Sequence, residues 1–179
     1  MKKIFLVAVL ILVAVPAFAT ENPAVKGNFV VTMPGFSYWK GTGDFSDSSH
    51  FSFLAMGYEP EVQYFFMDKL AIGGKVGYTN DKVQGSSTKT TSFGPLANYY
   101  IAMPKVMPYA GCGLLYESEK TDAVTVKTMS LKLQGGAVYM LGKYLSVYGE
   151  VFLSFDRAKN GETASGNRLG MAAGVKAFF

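Results

Sequence analysis

The last eleven residues of the chain alternate in polarity, in the pattern of a β-strand with two unlike faces. Apolar side chains occupy every odd position: Leu169, Met171, Ala173, Val175, Ala177 and Phe179. The even positions from 168 onward hold small residues, the basic side chains Arg168 and Lys176, and Phe178. Because successive side chains of a strand point to opposite faces, one face is continuously apolar and the other carries charge. Such a strand separates two different solvents, as in a soluble sandwich or in a membrane barrel.

The beginning of the chain favours the membrane barrel. Lys2 and Lys3 precede an uninterrupted apolar run over residues 4–15, and Ala17-Phe18-Ala19 supplies a small-x-small cleavage site. The apolar run is shorter than the roughly 20 residues that a spanning helix needs. We therefore predict a cleavable signal peptide over residues 1–19 and a single mature domain over residues 20–179.

Period-two alternation continues through the mature chain and predicts eight strands. They cover residues 26–38, 50–66, 69–79, 90–103, 106–117, 125–140, 143–156 and 167–179. Short turns at 67–69, 103–105 and 141–143 alternate with longer polar connections at 39–49, 80–89, 118–124 and 157–166. The tight turns recur at nearly constant spacing along the chain, which indicates a repeated hairpin.

This wiring predicts an all-β fold, an eight-stranded antiparallel up-and-down transmembrane β-barrel. Unpaired backbone groups are not tolerated in hydrocarbon, so a sheet that crosses a bilayer closes on itself and its last strand pairs with its first. Short turns on one side and long loops on the other are typical of bacterial outer-membrane barrels. We expect both termini in the periplasm and the loops 39–49, 80–89, 118–124 and 157–166 outside the cell. The apolar segment 51–56 suggests a bulge in the second strand.

The alternation also assigns side chains to the two faces. In the seventh strand Val147, Val151 and Leu153 share the lipid side, whereas Ser146 and Glu150 point inward. The predicted interior polar cluster comprises Glu61, Lys75, Asn98, Lys132, Gln134, Glu150, Arg168 and Lys176. The predicted lipid-interface aromatics are Tyr78, Phe93, Tyr116, Tyr139, Phe155 and Phe179, since amphipathic rings favour the headgroup level.

Cross-strand spacing predicts contacts within the interior. A turn centred near Gly142 makes Lys132 and Glu150 near neighbours on adjacent strands, within reach of an ion pair. Arg168 and Lys176 should find partners such as Glu150 or Asp156, because a desolvated charge needs one.

Several segments resemble a known family, the outer-membrane protein beta-barrel domain group of small OmpA/OmpX-type barrels, which belongs with the porin family. They are residues 60–74 and 94–100, Tyr148-Gly149-Glu150 and the terminal Phe179. Many relatives carry an Arg before the paired Tyr, whereas Asn98 stands there in this chain. The resemblance implies a monomeric cell-envelope protein whose partners are outer-membrane lipid and lipopolysaccharide. It also implies that the barrel-assembly machinery recognises the C-terminal strand ending in Phe179.

Composition narrows the function classes. A small net positive charge spread along the chain gives no footprint for nucleic acid, and one cysteine, Cys112, excludes a disulfide framework and a multi-cysteine metal site. We assign no catalytic residue, metal ligand or cofactor, and we predict that the chain is not an enzyme. The main hypothesis is a plugged barrel that acts as a structural or surface-interaction, adhesin-like protein.

Two alternatives stay open. An eight-stranded barrel holds little more than its own side chains, but a continuous polar interior would make a narrow small-solute pore. His50 and Ser52, with Glu59 as the acid, could instead form a barrel-borne lipid A hydrolase. That chemistry requires the three side chains within hydrogen-bond reach of one another on the lipid-facing side.

Overall fold

The computed structural model describes residues 23–45, 48–53, 59–83, 86–103, 105–121, 124–160 and 162–179. The predicted signal peptide, 1–19, lies outside these residues. The described part contains nine strand segments: β1 (Phe29–Gly43), β2 (Ser49–Phe53), β3 (Glu61–Met67), β4 (Leu70–Val83), β5 (Ser86–Tyr100), β6 (Val106–Thr121), β7 (Val124–Met140), β8 (Leu145–Asn160) and β9 (Glu162–Phe178). Among the described residues, no helix has the length and apolar character needed to cross a bilayer.

The predicted second strand is divided into two parts. β2 pairs with residues 36–40 of β1, and β3 pairs with residues 29–32 along the same edge. Thr32 of β1 pairs with Glu61, and Phe36, four residues later, pairs with Phe53. Because these two partners are eight residues apart, the partner side contains four more residues than β1 does over the same stretch. The irregularity expected in this strand is therefore present as a change of register. Residues 54–58 are outside the described residues.

With β2 and β3 counted as one strand, eight antiparallel strands form a meander that closes on itself. β9 pairs with β1 from Val30 opposite Phe178 to Gly43 opposite Gly166, which confirms the predicted closure of the last strand on the first. A β-bulge interrupts this ladder, since Pro34 pairs with Gly174 and Phe36 with Ala173, leaving Gly35 without a partner in β9. Proline lacks a backbone N–H and is tolerated in strands at such bulges.

The predicted turns and loops differ in outcome. The turn at 67–69 is present between β3 and β4, and Lys69 adopts a positive φ of 70° there. The predicted lengths of the long loops were wrong, because the strands continue through most of these segments. β4 pairs with β5 as far as Val83 and Ser86, and β6 pairs with β7 as far as Thr121 and Val124. These segments contain few β-branched residues, so cross-strand pairing rather than local propensity extends the strands through them. They form long hairpins whose outer ends we call the tips.

Burial follows the predicted alternation. In β8 the exposed fraction is 62% at Val151 and 40% at Val147, whereas it is 7% at Glu150 and 0% at Ser146. The outward face of the barrel is consequently apolar over its middle, and the inward face carries the polar side chains. The short turns at 68–69 and 141–144, together with Phe29 and Phe179, mark the opposite end of the barrel from the tips, which we call the turn end.

An apolar floor closes the interior at the turn end. It consists of Phe65, Tyr100, Met107, Val138 and Phe178, all 0% exposed. The Phe65 ring centroid lies 5.4 Å from that of Tyr100 and 6.4 Å from that of Phe178. The segment before β1 crosses beneath this floor: buried Ala24 accepts a hydrogen bond from Lys69 N at 2.9 Å, and Lys26 N donates to Asp68 Oδ1.

A closed ladder of this kind should persist in detergent. We expect the refolded protein to migrate on a cold SDS gel at a different apparent mass from the boiled protein, because every strand edge is paired and unfolding requires the whole ring to open. Deleting β9 should abolish the difference in migration. A full-length chain that migrates identically before and after boiling would contradict closure.

Candidate functional site

The barrel interior is the candidate site, and its tip half is held by an arginine–aspartate pair. Arg168 Nε donates to Asp156 Oδ2 at 2.6 Å and its Nη2 to Asp156 Oδ1 at 2.9 Å. The same guanidinium contacts Ser130 Oγ at 3.2 Å, while Ser154 Oγ donates to Asp156 Oδ1 at 2.6 Å. Two parallel bonds fix both side chains more firmly than a single contact. The arrangement ties β7, β8 and β9 together across the interior.

The Arg168 guanidinium also lies 5.0 Å from the ring centroid of Trp39, a residue that sequence reasoning did not place in the interior. The bulge at Gly35 explains this position. Before it, even-numbered Thr32 is buried; after it, odd-numbered Trp39 pairs with the inward position Gly170. A strict alternation through the first strand would have placed Trp39 on the outward face.

Lys132 and Glu150 form a second buried contact. Lys132 Nζ lies 2.9 Å from Glu150 Oε1, and Tyr109 OH donates to Glu150 Oε2 at 2.7 Å. Lys132 pairs with Ser154 and Glu150 with Gly136, so the two residues are offset by four positions rather than lying opposite one another. The long lysine side chain spans this offset over the Phe152 ring, whose centroid lies 4.7 Å from Nζ. Both carboxylate oxygens are thus engaged.

A chain of three amides crosses the middle of the interior. Gln134 Nε2 donates to Asn98 Oδ1 at 2.9 Å, and Asn98 Nδ2 donates to Gln63 Oε1 at 3.1 Å. These residues lie on β7, β5 and β3, so each bond passes over an intervening strand. Gly111 of β6 makes the passage possible, because it is the register partner of both Asn98 and Gln134 and a Cβ there would collide with Asn98 Oδ1.

A third ion pair joins β4 to the segment before β3, since Lys75 Nζ lies 2.5 Å from Glu59 Oε2. Ser92 Oγ donates to Glu59 Oε1 at 3.3 Å, which links this pair to β5. The sequence pointed to Lys75 as an interior residue, but it did not identify Glu59 as its partner. Glu59 lies just before β3, where no regular strand pattern fixes the direction of the side chain.

Lys176 is fully buried and is surrounded by tyrosines. Its Nζ lies 4.3 Å from the ring centroid of Tyr109, 4.9 Å from that of Tyr148 and 3.4 Å from the hydroxyl oxygen of Tyr100. The expected carboxylate partner for Lys176 was wrong: no ion pair among the described residues includes it. The physical reason is that both carboxylate oxygens of Glu150 are already bound, one to Lys132 and the other to Tyr109. Aromatic faces can stabilise a desolvated ammonium instead.

Unused hydrogen-bonding capacity remains on four polar side chains of the described interior. Glu61 Oε2, Gln63 Nε2, Gln134 Oε1 and Thr32 Oγ1 are buried and have no hydrogen-bond partner among the described residues. Thr32 is the register partner of both Glu61 and Lys176, so the three residues form one row across β3, β1 and β9.

The predicted interface aromatics lie on outward positions of the sheet. Exposed fractions are 55% for Tyr78, 52% for Phe93, 49% for Tyr139 and 43% for Phe155. Tyr116 is half-buried because its ring packs against Phe93, with a centroid distance of 5.1 Å. Phe179 is also half-buried, and its backbone pairs with Phe29 at the turn end.

The alternative hydrolase residues are not shown as a unit. His50 and Ser52 lie in β2, where their backbones pair with Trp39 and Ser37; their side chains are outside what the structure describes. The Glu59 carboxylate is bound to Lys75 and Ser92. Within the described ranges, no group of three histidine, cysteine, aspartate or glutamate residues is placed to hold a metal ion.

A family model described as "Outer membrane protein beta-barrel domain" matches residues 5–179. The fold is similar to that of Neisserial surface protein A (NspA), with a TM-score of 0.61 and 16% identity over 90% of this chain and 99% of that one. It is also similar to Ail, the attachment invasion locus protein of Yersinia pestis, in complex with the heparin analogue sucrose octasulfate. In that case the TM-score is 0.51 and the identity 12%, over 87% of this chain and 100% of that one. No curated protein matches the sequence.

Proposed function

Because this chain belongs to the outer membrane protein beta-barrel domain family, we propose that it is a sealed barrel of the bacterial outer membrane that acts through its outer surface. We place the turn end and both termini in the periplasm and the tips outside the cell. In this role the interior holds the barrel rigid, and the extended hairpins supply the surface that other molecules meet.

The observation that carries the proposal is the connected interior. Side chains cross it at successive levels, from the Arg168–Asp156 pair through Lys132–Glu150 and the amide chain to the apolar floor. An eight-stranded barrel is just wide enough for side chains to fill, so contacts at several levels leave little continuous path for a solute.

The length of the hairpins supports action at the surface. β6 and β7 contain 16 and 17 residues, whereas a tilted strand needs about 9–11 to cross a bilayer. Several residues of each strand thus extend beyond the membrane on the tip side. The names of the two structural neighbours, a surface protein and an attachment protein, agree with this role.

Conductance distinguishes the sealed barrel from the narrow pore. We expect purified wild-type protein in planar lipid bilayers to give no stable openings, because the buried ion pairs and the floor block the axis. A large porin reconstituted in the same way provides the positive control, and Val151→Ala, on the lipid face, provides the matched variant. Stable, ion-selective openings of the wild type that widen in Lys132→Ala would refute the sealed interior and establish the pore.

A further inference from the structure

Five exposed basic residues form an arc on the outward face of the barrel, near the tips. The arc consists of Lys89 on β5, Lys120 on β6, Lys127 on β7, and Arg157 and Lys159 on β8. These are four adjacent strands of the meander, and all five residues occupy outward positions in the alternation. The interior pairs described above involve none of them.

The register brings like charges directly opposite one another twice. Lys89 is the cross-strand partner of Lys120, and Lys127 is the partner of Lys159. Arg157 lies opposite Met129, one outward position below Lys127 and Lys159. Like charges in directly opposed positions destabilise a sheet, because their Cβ atoms are only about 5 Å apart. Two such pairs on neighbouring hairpins are costly unless an anion lies against them.

Among the described residues, no acidic side chain lies beside the arc on its own face. No ion pair among the described residues involves any of its five members. Glu119, the exposed acid nearest in sequence to Lys120, occupies the next position of β6 and thus the opposite face of the strand. Also outside what the structure describes are Asp122 and the side chains of Asp81 and Glu162.

The position of the arc along the barrel axis indicates which layer of the membrane surrounds it. Phe155 is 43% exposed and Met129 is 63% exposed, and both continue the lipid-facing rows. Arg157 and Lys127 follow them by two residues, which is roughly 7 Å along a strand. The headgroup layer on each side of a bilayer is of similar thickness, about 5–8 Å. The outward rows therefore change from apolar to basic where hydrocarbon gives way to headgroups.

We propose that the arc is a docking surface for the phosphate groups of anionic lipid in the leaflet around the tips, with phosphorylated lipid A as the occupant. The arc side chains point sideways from the barrel wall rather than up from its rim, which favours a lipid over a soluble polyanion. The register puts the two lysines of each opposed pair on the same face, with Cβ atoms about 5 Å apart, so their flexible ammonium groups can reach one phosphate together. The inference rests on the proposed outer-membrane location and deepens it by assigning the residues that bind the lipid phosphates.

The test compares two variants with the same change of charge. Lys127→Gln/Lys159→Gln removes one opposed pair of the arc, and Lys105→Gln/Lys143→Gln removes two exposed lysines at the turn end. Lipid A is titrated into each purified barrel in neutral detergent, and the bound fraction is measured by native mass spectrometry. At about 1 kcal/mol for each basic residue at an anionic surface, the arc variant should bind about 30-fold more weakly than wild type. The turn-end variant should bind as wild type does.

A stability measurement separates lost binding from lost folding. In vesicles of pure phosphatidylcholine, the arc variant should be at least as resistant to urea as wild type, because substitution removes repulsion between Lys127 and Lys159. Addition of lipid A should raise the urea midpoint of wild type more than that of the arc variant, and dephosphorylated lipid A should have no such effect.

Equal lipid A binding by wild type and the arc variant would overturn the proposal, as would an equal loss in the turn-end variant. Binding of a soluble heparin oligosaccharide that depends on the arc, without lipid A binding, would assign the arc to a different partner and would also overturn it. A barrel that conducts ions yet needs the arc for lipid A would refute the sealed interior alone.

Discussion

Replacing Glu150 with alanine is expected to lower the free energy of unfolding by about 3–5 kcal/mol, the usual cost of leaving one partner of a buried ion pair alone. Lys132 is 7% exposed and loses its carboxylate, while the Tyr109 hydroxyl loses its acceptor. Urea unfolding in vesicles measures the change, with the fluorescence of Trp39 as the reporter. Trp39 is the chain's single tryptophan and contacts Arg168 inside the barrel.

A paired replacement provides the control. Lys132→Met/Glu150→Leu removes both charges and fills the space with apolar atoms, so it should recover most of the stability that Glu150→Ala loses. A single substitution of Val151 by alanine, on the opposite face of the same strand, should cost much less. If Glu150→Ala unfolds at the wild-type urea concentration, the Lys132–Glu150 contact does not stabilise the barrel.

Replacing Val151 with arginine is expected to cost about 2–4 kcal/mol in a lipid bilayer, the penalty for a basic residue near the midplane on a lipid face. Val151 is 62% exposed and lies near the middle of the β8 lipid row that runs from Leu145 to Phe155. The cost should fall sharply in detergent micelles, where the guanidinium reaches water more easily. Refolding yield and urea midpoints in the two environments measure the difference.

Ser146→Arg is the matched variant on the inward face. Ser146 is 0% exposed, and its hydroxyl donates to Lys176 O at 2.8 Å. An arginine there has no space and lies beside a buried lysine, so refolding should fail equally in bilayers and in detergent. A lipid dependence as strong for Ser146→Arg as for Val151→Arg would show that the two faces have been assigned wrongly.

Much of the fold could be predicted because lipid and side-chain packing impose one simple rule on every strand. Wherever alternation runs unbroken, as in β8, the rule places Val151 outside and Glu150 inside, as observed. The same alternation, with a turn centred near Gly142, predicted the contact between Lys132 and Glu150. That turn centre made the two residues nearly opposite one another, which is closer than the observed register puts them. The observed ladder is offset by four positions, and only the length of the lysine side chain restores the contact.

What could not be predicted depends on places where the rule is interrupted or where partners compete. The bulge at Gly35 moves Trp39 inward, and no local pattern signals it beyond the neighbouring proline. The tyrosine surroundings of Lys176 depend on Glu150 being bound to other groups, which is a property of the whole interior rather than of one strand. The hairpin extensions contain glycine, serine and threonine in proportions that suit loops as well as strands, so composition alone did not separate the two.

The bulge also shows how this barrel encodes inside and outside. Side chains of a β-strand alternate between its two faces, so a single added residue exchanges the inward and outward positions of every residue beyond it. Before Gly35 the even-numbered residues of β1, such as Thr32, point inward. After it the odd-numbered Trp39 points inward and the even-numbered Tyr38 points outward. β1 closes the barrel by pairing with β9. The single glycine at position 35 therefore determines that, in the tip half of this strand pair, Trp39 lies inside the barrel and Tyr38 faces its surroundings.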